Sequence, residues 1–165
     1  MHEVHFDDGS LRLWSSKELL VAGWFEAPTI EEMREVGKAG RLLAARYPKG
    51  AALANVIVSG TPRFSDEVRD EAITIAKGRT FRKGSCHVVL VGGLGGAAAR
   101  AFMSMVLLVG MKALGRNAAP SKVFGEIPDA AHWLAPVLGE GWTSREIAEV
   151  FREISEPRSY SKSLP

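Results

Sequence analysis

The sequence predicts a single α/β domain built on a mixed β-sheet that starts with an antiparallel meander. Three observations carry this. The first 25 residues hold three short apolar runs separated by turn residues. Two further apolar runs, 52–58 and 88–91, alternate with segments of helical periodicity, the pattern of parallel strands joined by crossovers. Between Val88 and Leu114 the chain passes from strand through Gly92, Gly93, Gly95 and Gly96 into a long Ala-, Met- and Leu-rich helix.

Taken in order, Glu3 to Phe6 reads as a strand ending at Asp7-Asp8-Gly9, a turn signal. Leu11 to Trp14 and Leu19 to Phe25 follow as strands, and their short connections imply antiparallel pairing. Pro28 breaks the last, and Thr29-Ile30-Glu31-Glu32 forms a capping box that opens a helix to about Arg46. Gly37 and Gly40 are costly inside a helix, which predicts close packing of this helix on the sheet. After Tyr47-Pro48-Lys49-Gly50, Ala52 to Val58 is a buried strand. Ser65 caps the next helix, which runs to about Lys77, with Asp66 and Glu67 favourably placed in its first turn. The connector 78–84 is basic and contains no acid. It is either a solvated loop or a patch for an acidic partner.

Beyond the central helix, Lys122 to Phe124 is a short last strand, expected after the break at Asn117 to Pro120. Ile127-Pro128-Asp129 opens a helix that Pro136 ends or kinks. Thr143-Ser144-Arg145-Glu146 is a second capping box, starting a helix through Ile147, Val150, Phe151 and Ile154. Residues 1–156 therefore form the domain, and 157–165, rich in serine, are expected to be a disordered tail.

Composition narrows the function classes. A net charge of +2, with cations scattered among acids, gives no basis for nucleic-acid binding. The single cysteine, Cys86, excludes an internal disulfide and fits a reducing compartment. Its place in the core strand argues for a buried, inert thiol. The polar N-terminus MHEVHFDDGS has no secretory character, so a cytoplasmic location is expected. Histidines 2 and 5 lie too far apart for one strand face and have no third ligand beyond acids, and His132 has no orienting acid or nucleophile, so no metal site and no catalytic residue are expected.

Two sharper readings of the central stretch fail on their requirements. Gly93-x-Gly95-x-x-Ala98 fits the loose dinucleotide fingerprint, yet Lys112 to Ser121 contains no acid to hold a ribose, and no P-loop lysine is present. No nucleotide and no other cofactor is expected there. Ala101 to Met111 is uncharged but bracketed by Arg100 and Lys112, shorter than the roughly 20 residues of a membrane span. No span is expected. A helix apolar on nearly every side must instead be covered. Its core stripe is expected to be Ala98, Phe102, Met105, Val109 and either Lys112 or Ala113. Met103, Leu107, Met111 and Leu114 are then the candidate interface, covered by a second copy in a homodimer or by the 143–155 helix.

The whole order is βββ-α-β-α-β-α-β-α-α. With this order, the stretch Lys122-Val123-Phe124-Gly125-Glu126-Ile127-Pro128-Asp129-Ala130-Ala131-His132-Trp133-Leu134 resembles the C-terminal part of the STAS superfamily, in particular the SpoIIAA-like proteins. Those chains end with a phenylalanine-bearing strand and a helix in which alanine precedes a tryptophan–leucine pair. The resemblance implies a four- to six-stranded mixed sheet with helices mainly on one face, and a binding or signalling role rather than a catalytic one. Anti-sigma-factor antagonists of the superfamily are switched by phosphorylation of a serine where a strand-exit loop meets the next helix. Ser65 is the positional match, although the Asp-Ser-Ser-Gly-like surround is replaced by Phe64-Ser65-Asp66-Glu67. Ser59, Thr61 and Ser65 are thus the candidate phosphorylation or partner-loop residues, against Ser65 as a plain helix cap. The leading expectation is a non-enzymatic module for a protein partner, and the alternative is a binder of a small ligand, nucleotide or lipid.

Overall fold

The computed structural model describes residues 2–60, 64–115 and 118–157, with Val109 and Ala113 described by backbone only. The tail from residue 158, and Thr61 among the candidate loop residues, lie outside the described residues. Eleven elements follow the anticipated order: β1 Glu3–Asp7, β2 Leu11–Ser16, β3 Leu19–Trp24, α1 Ile30–Arg46, β4 Ala52–Ile57, α2 Asp66–Lys77, β5 Gly84–Val89, α3 Gly93–Leu114, β6 Ser121–Phe124, α4 Ile127–Leu138 and α5 Ser144–Ser155. Both capping boxes form, Thr29 with Glu32 and Thr143 with Glu146.

One six-stranded sheet has its strands in chain order, β1 to β6. The first three pair antiparallel, and β3 to β6 pair parallel. The anticipated parallel neighbours β4 and β5 align Ala52 with Gly84 through Ile57 with Val89. Strand β5 starts earlier than its apolar run suggests, because Gly84, Ser85 and His87 pair as strand although they are not apolar.

Sequential order fixes the layers. Each parallel step goes to the next strand in the same direction, so right-handed crossovers place α1, α2 and α3 on one face. Their core contains Leu20, Ala22, Val36, Leu43, Ile57, Ile75 and Val89. The opposite face is not bare. After β6, α4 and α5 return across it and bury Val21, Ala54, Val56 and Val88 under Leu134, Ile147 and Phe151. The expectation of helices mainly on one face is therefore corrected to three on one face and two on the other. Strand β3 is buried on both sides along its whole length, and leaving either side open would expose its apolar residues to water.

The close approaches at Gly37 and Gly40 also differ from expectation. A side chain at Gly37 would meet Ile75, and one at Gly40 would come within 2.6 Å of the Phe81 ring and 2.8 Å of the Thr80 methyl. The glycines admit α2 and its exit loop, not the sheet.

Candidate functional site

Most of the described side chains of helix α3 are exposed or half-buried. It starts from a tight turn, with Gly93 at φ +67° and Gly96 packed so closely that a Cβ would overlap the Val91 carbonyl oxygen. Gly96, Ala99 and Met103 face inward, with Met103 only 4% exposed. Ala98, Phe102 and Met105 are exposed. The inward stripe is thus rotated from the expected one, because small residues at 96 and 99 let the helix start close to the sheet. In a helix apolar all round, hydrophobic periodicity leaves that phase undetermined. Met103 is corrected from interface to core, Leu107 and Leu114 are half-buried, and Met111 remains exposed. Leu94 and Leu108 are exposed on the outer face, whereas the exposed Phe102, Met105 and Met111 line the space between α2, α3 and the sheet. Helix α5 packs on the other side of the sheet and does not cover them.

The length argument against a span is corrected as well. Because its glycines are helical, the 22-residue α3 reaches roughly 33 Å at about 1.5 Å per residue. By length and composition Gly93–Lys112 suffices to cross a membrane, with a mean hydropathy of 1.6 and 18% of it buried.

Beneath α3 lies an open-sided cavity of about 1230 Å³ between α1, α2, α3 and the sheet. Its walls are apolar: Ala72 and Ile75 from α2, and Met103, Val106, Leu107 and Leu114 from α3. Phe64 and Phe102, which also line it, stack with ring centroids 6.3 Å apart. The rim carries Lys77, Arg79 and Arg82, all exposed, while Arg69 is paired with Asp66 at 3.2 Å. Glu26 is the one carboxylate in the lining among the described residues. Lys83, from the same basic connector, is committed elsewhere, to Glu18 at 3.0 Å and the Leu138 carbonyl.

The floor is polar and runs diagonally over four strands. Trp24 Nε1 donates to Asn55 Oδ1 at 2.9 Å, and Asn55 Nδ2 lies 3.4 Å from His87 Nδ1. His87 Nε2 lies 3.5 Å from Ser121 Oγ, which is 2.7 Å from Ser85 Oγ. All five line the cavity. Strand register creates the row, with Asn55 opposite His87 and Ser85 opposite Ser121.

The indole N–H can only donate, so it fixes the amide: Asn55 Oδ1 accepts and Nδ2 donates to His87 Nδ1. The neutral imidazole then carries its proton on Nε2 and donates to Ser121. Burial pushes the His87 pKa down to about 4, keeping the ring neutral near pH 7. Ser121, His87 and Asn55 contain the residue types of a nucleophile, base and orienting group, but the proton order is reversed. A ring whose Nε2 already holds a proton cannot take one from Ser121. The array is suited to hydrogen bonding rather than to activating a hydroxyl.

The other candidates are dispersed. Ser59 Oγ donates to the Phe25 carbonyl at 2.6 Å, and Ser65 Oγ accepts from Val68 N as the α2 cap. His2 stacks on Trp14 with ring centroids 4.1 Å apart, His5 bonds Ser15 at 2.7 Å, and His132 is exposed. Among the described residues no cluster of three potential metal ligands occurs. Cys86 is fully buried toward α4 and α5, and desolvation pushes its pKa up to about 12, which suppresses thiolate. None of the five floor residues was singled out from sequence. The available signal was Asn55 and His87, polar residues inside strands otherwise apolar on both faces. Compared with known proteins, the chain matches no protein-family model, no curated protein and no solved structure.

Proposed function

We propose that this chain is a non-enzymatic binding protein for a small, largely apolar molecule, received between α2, α3 and the sheet. The observation that carries the reading is the 1230 Å³ cavity with apolar walls over one polar row. Pockets that enclose small molecules combine those two features. Its volume exceeds that of a long acyl chain, and methionine and leucine side chains adapt to such an occupant. Helix α3 serves here as a cover rather than a membrane span, because it is the crossover between β5 and β6, whose pairing holds its two ends at the sheet. Native mass spectrometry of the freshly purified chain tests the reading. An adduct of lipid-like mass, lost on organic extraction, supports it. A bare polypeptide that also fails to bind a neutral apolar fluorophore contradicts it.

A second reading is favoured by a different observation, the outer face of α3. Leu94 is 91% exposed and Leu108 62% exposed, both outside the cavity lining, with the exposed Ala97, Ala98 and Ala101 between them. An apolar patch of this kind suits a protein partner, including a second copy of the chain. A STAS-like regulatory module accommodates both readings. Its support is the order of elements and the stretch Lys122 to Leu134, which forms β6 and the first half of α4, with Phe124 packed 5.7 Å from Trp133. A cytoplasmic location belongs to the same proposal, in keeping with one buried thiol.

A further inference from the structure

We infer that the occupant of the cavity is an amphiphile with one apolar chain and an oxygen acceptor head, a carboxylate or an ester carbonyl, seated at Ser85 and Ser121. The inference rests on the ligand-binding reading and adds the chemical class of the ligand. It follows from counting hydrogens along the floor.

The Trp24 N–H is used on Asn55, one Asn55 Nδ2 hydrogen is used on His87, and the His87 Nε2 hydrogen is used on Ser121. Ser85 and Ser121 together have two hydroxyl hydrogens, and their mutual bond uses one. The other cannot go to His87, because that nitrogen is itself a donor. Whichever serine donates to its neighbour, one O–H remains for the cavity. Asn55 retains a second N–H on the other side of His87. The row therefore offers spare donors, and an oxygen acceptor is the group that satisfies them. Ser85, Ser121 and Asn55 are half-buried and open to the cavity, so an oxygen acceptor that enters replaces water at these donors.

The charges at the rim point the same way. Ser85 and Ser121 begin β5 and β6, at the end of the sheet where the 78–84 connector enters. Lys77, Arg79 and Arg82 belong to that end, whereas Glu26 follows β3 at its C-terminal end. An anionic or carbonyl head at the serines is attracted by the rim, and an ammonium head is repelled. The apolar walls of α2 and α3 take the chain.

The test uses the full chain loaded with N-phenyl-1-naphthylamine, a neutral apolar fluorophore, and three competitors sharing a sixteen-carbon chain: hexadecanoic acid, its methyl ester and hexadecylamine. The acid is expected to displace the probe at a concentration at least roughly tenfold below the amine, the size of one hydrogen bond to a charged group. Displacement by the ester at similar concentration assigns a carbonyl, and displacement by the acid alone assigns a free carboxylate. In the Ser85→Ala, Ser121→Ala double variant the preference over the amine should shrink below about threefold while probe affinity is kept, since the walls are untouched. Equal displacement by acid and amine in the wild type overturns the head-group inference and leaves the cavity reading standing. Absence of probe binding overturns the cavity reading itself.

Discussion

Asn55 Nδ2 lies 3.4 Å from His87 Nδ1, and the Trp24 indole fixes which of the two donates. That relationship sets the tautomer of His87, and through it the proton order of the whole row to Ser85. A single donor-only group on β3 thus decides the chemistry offered on β5 and β6. The row can present hydrogens to a ligand, and it cannot draw one from a serine.

Stability should fall in weak acid because of His87. Its folded pKa is lowered to about 4 from the ordinary 6.5. Between those values the unfolded chain binds a proton that the folded chain refuses. The contribution is complete above pH 6.5 and is lost as the pH falls toward 4, on the order of 3 kcal/mol at most, and less where the cavity admits water. Urea unfolding of the wild type and of His87→Gln at pH 7.5 and 4.5 isolates this part, which the variant should lack. An imidazole titrating with an NMR midpoint near 6.5 contradicts the account.

Gly40→Ala should destabilise the fold by about 1–2 kcal/mol, although alanine is the better helix former. The added methyl would collide with Phe81 and Thr80, which pack on α1 at that point. Gly95→Ala is the internal control, because a Cβ there meets nothing. It should leave stability unchanged or raise it by up to about 1 kcal/mol. Thermal unfolding of the two variants side by side checks both signs.

These glycines show what the sequence made legible. Capping boxes at Thr29 and Thr143, turn residues at Asp8-Gly9, and the apolar runs of β4 and β5 are local signals, and they yielded all eleven elements in order. Gly37 and Gly40 announced a close neighbour but not its identity, because that depends on where α2 lies. The phase of α3 was hidden for a related reason. Its apolar residues surround the helix, and only the small residues Gly96 and Ala99 mark the inward side. The polar floor was the least legible feature. Trp24, Asn55, His87, Ser85 and Ser121 come from four strands and meet only through sheet register.

Leu108→Glu should leave the fold intact, since Leu108 is 62% exposed and lies on the outer face of α3. If that face joins two copies, the variant should sediment as a folded monomer while the wild type is a dimer. Leu107 is not the residue for this test, because its side chain lines the cavity. A wild type that sediments as a monomer at high micromolar concentration removes the homodimer and leaves the face to another protein.

The central claim is that the space under α3 holds an apolar ligand, and Gly110→Phe tests it most directly. Gly110 lines the cavity, and a Cβ at this position meets nothing within 4 Å. The added side chain therefore starts into open space on a cavity-lining position, and loss of a mid-helix glycine favours the fold by a few tenths of a kcal/mol or more. Titration with N-phenyl-1-naphthylamine, paired with thermal unfolding, gives the answer. The account predicts a melting temperature equal to or above that of the wild type, with probe affinity reduced at least roughly tenfold, the loss of about 1.4 kcal/mol of cavity contact. Unchanged affinity in a variant of undiminished stability would contradict it.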